Sequence, residues 1–296
     1  MRIVLIGAVE FSKRALDTVL ALETCDATVS GVCTLAASTF NADHVDLKPT
    51  CDVHGVPCLY VDDINSEESL AWIRDKKPDV IFCFGWPRLL KDDLLRLAPM
   101  GVVGYHPTAL PANRGRHPLI WALVLGLKET ASTFFFMDAG ADSGDILSQQ
   151  PIVITETDAA RSLYDKAMDT AMQQIVGFVP QLVCGNYQRL PQDHTKANTW
   201  RKRGVADSKI DWRMSAQSVY NLVRGLSHPY VGAEFILNDQ PIKVWKARIV
   251  QDVPDNIEPG QVVAMQTDGP VVKCGIGAIC LLDINPQVSL AEGTYL

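Results

Sequence analysis

In the first half of the chain Arg2–Gly7 is a short continuous apolar run, and Ala27–Leu35, Asp79–Phe84 and Val102–His106 also read as strands. Runs of this length without polar alternation are what a strand buried on both faces requires. Between them the spacing changes. Ala15, Leu16, Val19, Leu20 and Leu22 recur at helical intervals over 12–22, and Ser66-Glu-Glu-Ser-Leu-Ala-Trp-Ile opens a helix with Ser66 as its N-cap. Thr133–Met137 and Ile146–Ile154 read as two further strands, and Thr157–Leu182 as a long amphipathic helix. Alternation of this kind predicts an α/β fold, a Rossmann-like, mostly parallel sheet with helices on both faces.

The texture changes after about residue 184. Residues 186–204 are polar and loop-like, 215–226 read as a helix, and the remainder is strand-rich. Asn238-Asp239 and Thr267-Asp-Gly-Pro270 each separate two strand-like runs and predict hairpins. The expected organisation is a catalytic domain over 1–185, a linker over 186–204, and a small mainly-β, OB-like domain over 205–296.

Composition narrows the function classes. The chain has 296 residues, 47% hydrophobic and 21% charged, an ordinary globular balance with room for one large and one smaller domain. No run approaches the roughly 18 apolar residues of a membrane helix, and Met1–Gly7 reads as a strand rather than a leader, so no membrane association is expected. Eight cysteines are scattered, several inside apolar strands, which fits reduced thiols and a cytoplasmic location. Cys51, His54 and Cys58 lack a second Cys/His cluster at metal-binding spacing, so no metal is expected. A net charge of −7 speaks against general polyanion binding. The first strand ends in Gly7-Ala-Val-Glu-Phe, without the second glycine of a dinucleotide fingerprint, which argues against a nicotinamide enzyme.

The chemistry-bearing segments are Gly104-Tyr-His-Pro-Thr-Ala-Leu-Pro-Ala-Asn-Arg-Gly-Arg116 and Met137-Asp-Ala-Gly-Ala-Asp-Ser-Gly-Asp-Ile-Leu147. The first sets His106 after an apolar strand in a proline-framed loop. The second sets Asp142 in a glycine-framed turn after another strand. Residues just past the carboxyl ends of parallel strands share one crevice, so the two are expected to meet as an acid–base pair.

These segments resemble the folate-dependent formyltransferases. So do Gly7-Ala-Val-Glu-Phe-Ser12, Pro78-Asp-Val-Ile-Phe-Cys-Phe84, Ser162-Leu-Tyr-Asp-Lys166, Ile210-Asp-Trp212, Val223–Ala233 and Ile242-Lys-Val-Trp-Lys-Ala247, in that order. The resemblance implies a formyl donor, 10-formyltetrahydrofolate, with His106 moving protons and Asp142 tuning it. It implies that the loops Arg88-Leu89-Leu90 and Asp138-Ala139-Gly140-Ala141 bind the pterin, largely through main-chain groups. Arg116 is then a partner for the folate carboxylates. Glu10, Phe11 and Thr108 fall on the acceptor side. One position departs: the family pattern has asparagine where this chain has Gly104, and that asparagine helps hold the formyl oxygen. Either another donor compensates, such as Asn113, a backbone N–H or a water, or transfer is slowed.

The acceptor is approached through charge. Relatives acting on tRNA carry a basic insertion after the second strand. Here Ala36–Asp46 has no lysine or arginine, and phosphate contacts dominate nucleic-acid affinity. The chain therefore looks more like the nucleotide-sugar N-formyltransferases, whose UDP- or dTDP-linked amino-sugar products enter bacterial surface polysaccharides. Trp200, Arg201 and Arg203, at the expected inter-domain connection, are candidates to bind the pyrophosphate and stack on a ring. A small-molecule substrate and no nucleic acid follow, and the sequence is compatible with a homodimer without requiring one. Methionyl-tRNA formylation, hydrolysis of the formyl donor, and folate or sugar-nucleotide binding without turnover are the alternatives.

Overall fold

A computed structural model of the chain describes residues 1–22, 26–38 and 43–296. In chain order its elements are β1 (Arg2–Ile6), α1 (Glu10–Leu20), β2 (Thr28–Thr34), α2 (Lys48–His54), β3 (Cys58–Tyr60), α3 (Glu67–Asp75), β4 (Val80–Cys83), α4 (Asp92–Leu95) and β5 (Val102–His106). There follow β6 (Arg114–Gly115), α5 (Pro118–Val124), β7 (Glu129–Phe136), β8 (Ile146–Val153), α6 (Ala160–Val183), β9 (Thr199–Trp200) and α7 (Ala216–Leu226). The last five strands are β10 (Ala233–Leu237), β11 (Gln240–Val250), β12 (Val262–Gln266), β13 (Gly269–Lys273) and β14 (Ala278–Asn285). The expected α/β class holds, with a separate antiparallel sheet at the C-terminal end.

The larger sheet has seven strands in the order β3-β2-β1-β4-β5-β7-β8. Its first five are parallel, and the unbroken apolar runs explain why: Ile3–Ile6 and Val80–Cys83 are buried along their whole length. Ser66 caps α3 as its sequence predicts, accepting from the Ser69 N–H. β7 then runs antiparallel to β5, with Val103 opposite Phe136 and His106 opposite Thr133. This corrects the expectation that His106 and Asp142 both follow parallel strands. The carboxyl end of β7 lies beside the start of β5, and Asp142 reaches His106 only because the loop over 137–145 turns back.

An aromatic cluster fixes β5. Phe11 stacks on Tyr105 at a centroid distance of 4.2 Å, and Phe134 packs on Tyr105, Phe84 and Phe178 at 4.9, 5.4 and 4.9 Å. Such ring pairs contribute roughly 0.5–1.5 kcal/mol beyond their buried area. Phe11 is thereby buried beside β5.

The chain divides into two compact units, residues 1–115, 131–152 and 166–199 in one and 116–130, 153–165 and 200–296 in the other. The contiguous division expected at 185 and 205 does not describe this partition. Two features of α7 account for the crossing segments. Gly225 lets α5 approach closely, since a Cβ there would lie 3.1 Å from Val124 and 3.3 Å from Leu123. Arg224, buried in α7, donates to the carbonyls of Thr155 at 2.9 Å and Asp158 at 3.0 Å, and to the Asn221 side chain at 2.9 Å. In the same unit, the sheet order is β10-β11-β14-β13-β12. Asn238 and Asp239 make the β10–β11 turn with φ of 48° and 62°, the left-handed conformation that Asn and Asp tolerate.

Replacing Arg224 by methionine keeps bulk but leaves those buried carbonyls without their donor. We expect a loss of about 2–4 kcal/mol in urea denaturation. An unchanged midpoint and slope would show that the segment 153–165 is held by other contacts.

Candidate active site

His106 closes β5 and is 5% exposed. Its Nε2 lies 2.9 Å from the Asn113 carbonyl oxygen, and its Nδ1 lies 3.8 Å from Asp142 Oδ2. A carbonyl only accepts, so the neutral ring carries its proton on Nε2 and presents a lone pair at Nδ1. The gap to Asp142 exceeds a direct hydrogen bond and leaves the Nδ1 side open to a proton in transit. On protonation the imidazolium would face the carboxylate, which stabilises it.

Each partner is itself held. Asn113 is in the left-handed region with φ 65°, and its N–H donates to Asn198 Oδ1 at 2.8 Å. The adjacent Arg114 N–H donates to the Asn198 carbonyl at 3.0 Å. Asp142 also has positive φ, 53°, and its Oδ2 accepts from the Gly115 N–H at 2.9 Å. The proline-framed loop is pinned from below: Thr133 Oγ1 donates to the Thr108 carbonyl at 2.6 Å, and Gln149 Nε2 to the Leu110 carbonyl at 3.0 Å. Thr108 is fully buried and its hydroxyl donates to the Ala112 carbonyl at 3.1 Å. It shapes the loop.

The Asp142 turn is shaped by Asp138, whose Oδ1 accepts from the Gly140 N–H at 2.9 Å and the Ser143 hydroxyl at 2.6 Å. Asp138, Ala139, Gly140 and Ala141 are exposed. Gly144 is required by space: a Cβ there would lie 1.8 Å from the Phe136 carbonyl oxygen. In the loop after β4, Leu89 is exposed and its carbonyl accepts from Asn65 Nδ2 at 2.9 Å. Leu90 is buried, and exposed Arg88 donates to the Asp62 carbonyl. In the same loop the Trp86 indole N–H is buried without a hydrogen-bond partner. Arg88 also borders a cavity of about 550 Å³ with Leu35, Ser38, Tyr60 and Asp62, which does not include His106 or Asp142.

Gly104 sits where Met137 has taken the room. A Cβ on Gly104 would lie 2.8 Å from Met137 Cγ, 3.0 Å from its Sδ and 3.2 Å from Phe135 Cζ. The space an asparagine side chain would need is thus filled by thioether and ring. Asn113, by contrast, makes its hydrogen bonds to His106 and Asn198 through its backbone.

The remaining expected residues lie outside this cluster. Glu10 opens α1, and its N–H donates to the Asp43 carbonyl at 3.0 Å. Arg116, Trp200, Arg201 and Arg203 belong to the second unit. There Trp200 lies 6.5 Å from Trp121, centroid to centroid, and the Arg203 guanidinium lies 4.7 Å over the Trp121 ring. Arg201 pairs in a fork with the Asp207 carboxylate, and Arg203 donates to the Asp207 carbonyl. Arg201 therefore already has a carboxylate partner, while Arg203 has a backbone carbonyl. Burial, together with the charges of Arg116, Arg203 and Lys202, holds His117 below the usual imidazole range.

Asn198 and Gln192 were invisible to sequence reasoning because both fall in a polar stretch that reads as linker. Part of the segment 36–46, which carries no lysine or arginine, lies outside the described residues, namely 39–42. Among the described residues no group of three or more His, Cys, Asp or Glu side chains converges to hold a metal, and no helix is long and apolar enough to cross a membrane.

Residues 44–179 match the family model described as formyl transferase, and residues 204–290 match that of the formyl transferase C-terminal domain. An N-formyltransferase from Helicobacter canadensis, solved with folinic acid and dTDP-3-aminofucose, is 14% identical with a TM-score of 0.71, covering 95% of this chain and 98% of that one. A methionyl-tRNA formyltransferase from Clostridium thermocellum is 17% identical with a TM-score of 0.63, over 84% of this chain and 94% of its own. HypX from Aquifex aeolicus in complex with tetrahydrofolic acid is 15% identical with a TM-score of 0.65, over 96% of this chain. The chain spans only 44% of that HypX, and at these identities the likeness is one of fold. With both of its domain models matched in order, the chain belongs to the formyltransferase family and is a formyl-transferring enzyme.

Proposed function

We propose that the protein transfers the formyl group of 10-formyltetrahydrofolate to the amine of a nucleotide-linked amino sugar, a UDP or dTDP derivative of the kind used in bacterial surface glycans. The observation that carries the catalytic part is the His106 ring, tied at Nε2 and open at Nδ1 toward Asp142. The indole N–H of Trp86, buried beside the 88–90 loop without a hydrogen-bond partner among the described residues, and the exposed turn over 138–141 fit a heterocycle rich in hydrogen-bonding groups. When bound, the donor supplies an activated formyl carbon. His106 Nδ1 takes the proton released by the attacking amine as the N10–formyl bond breaks, and Asp142 stabilises the imidazolium until the proton is passed to the departing N10 of the folate. Asn113, whose backbone already fixes His106, is the side chain we assign to the formyl oxygen in place of the missing asparagine.

Support for the acceptor is electrostatic. The segment 36–46 has no cationic side chain to meet an acceptor stem. The cationic residues around His117, namely Arg116, Lys202 and Arg203, suit a pyrophosphate better than an extended polyanion. The overall charge of −7 agrees.

Mass spectrometry of amino-sugar nucleotides incubated with the protein and 10-formyltetrahydrofolate should show one member gaining a single formyl group. His106→Ala should lower that turnover by about 100–10,000-fold with donor binding retained. Efficient formylation of methionyl-tRNA, or donor consumption without any amine, would overturn the acceptor assignment. Near-normal turnover of His106→Ala would overturn the catalytic one.

Gly104→Asn alone should give no gain, because Met137 occupies the space. Paired with Met137→Ala it should raise turnover by about ten-fold, a fraction of what one oxyanion donor contributes. A gain from the single substitution would show that Met137 yields freely. Equal rates in both would place the oxyanion donor elsewhere.

A further inference from the structure

Gln192 is the least expected polar residue near the pair. It is 6% exposed although it belongs to a stretch that reads as linker. Its Nε2 donates to two carbonyls of the Asp142 turn, that of Asp142 at 3.0 Å and that of Gly144 at 2.7 Å. Its Oε1 accepts from Arg114 Nη2 at 2.6 Å, and Arg114 Nη2 also lies 3.0 Å from His194 Nδ1. The Nε of Arg114 is buried with no partner, so this arginine is oriented by its Nη2 contacts. Two residues before Gln192, Leu190 exchanges backbone hydrogen bonds with Ile146 at 2.8 and 2.9 Å, tying the segment to the start of β8. Six residues after it, Asn198 holds the backbone of Asn113 and Arg114.

One segment therefore grips both halves of the pair. Its Gln192 end holds the turn that presents Asp142, and its Asn198 end holds the loop whose carbonyl orients His106. We propose that residues 190–198 form a positioning strap, with Gln192 the residue that sets the Asp142 carboxylate against His106. The inference rests on the proposed role of that pair. Gln192 is a positioning residue: its contacts are with the turn backbone and Arg114. The arrangement explains why a primary amide is used there. A donor is needed toward two carbonyls and an acceptor toward a guanidinium, and glutamine supplies both on one rigid group.

The test is a double-mutant cycle between Gln192 and Asp142 in the full chain, with turnover and the Michaelis constant for the formyl donor both measured. Gln192→Ala should lower kcat by about 10–100-fold, the scale of a displacement near 1 Å in a reacting group, and change the donor constant by less than about three-fold. In an Asp142→Asn background the same change should cost less than about three-fold further, because its effect passes through the carboxylate already removed. Gln192→Glu keeps the acceptor for Arg114 but turns a carboxylate toward two carbonyls. It should remain folded and lose kcat to the same extent, which keeps the question answerable if the alanine variant does not fold. Full activity of the glutamate variant, or losses that multiply in the Asp142→Asn background, would overturn the strap. A fully active Asp142→Asn protein would instead fail the reading of the pair, and the role of Gln192 with it. An impaired Asp142→Asn beside a normal Gln192 variant fails the strap alone.

Discussion

The candidate site depends on one hydrogen bond, from His106 Nε2 to the carbonyl of Asn113 at 2.9 Å. It decides which ring nitrogen holds the proton, and so which one is free to accept another. It also fixes the ring plane, because the accepting carbonyl belongs to a residue with a constrained left-handed backbone whose N–H is held by Asn198. Asp142 then needs only to stand near Nδ1. It does so at 3.8 Å, held by Gly115 through its own oxygen and by Gln192 through its carbonyl.

Local pattern announces much of this fold. The unbroken apolar runs of β1 and β4, the Ser66 cap and the Asn238-Asp239 turn are all determined within a few residues, and the structure contains each of them. What local pattern cannot carry is strand direction and long-range pairing. β7 is buried over all but its first residue, as β1 is, yet it runs antiparallel to β5. The segments 116–130 and 153–165 join the second unit through Gly225 and Arg224, contacts made across dozens of residues.

The same limit applies to the site. His106 and Asp142 are legible because their motifs are distinctive. Phe11 and Thr108 share the motif positions, and their side chains also take part in packing and in the loop itself. Gln192 and Asn198 sit among Pro, Asp, His, Thr and Lys in a stretch whose composition signals only solvent exposure. Their importance comes from where their backbone partners lie, which no spacing rule encodes. Arg201 illustrates the converse. Its sequence neighbourhood advertises a phosphate grip, while the Asp207 carboxylate already fills its fork.

The central claim is that a proton moves through Nδ1 of a histidine held in the Nε2–H form. Nitrogen-15 NMR of the imidazole side chains, at a pH where His106 is neutral, reads that tautomer directly. The account predicts a protonated-type Nε2 resonance and a bare Nδ1, with Asn198→Ala giving a mixture of the two tautomers as the Asn113 carbonyl loosens. A His106 ring carrying its proton on Nδ1 in the intact protein would contradict it.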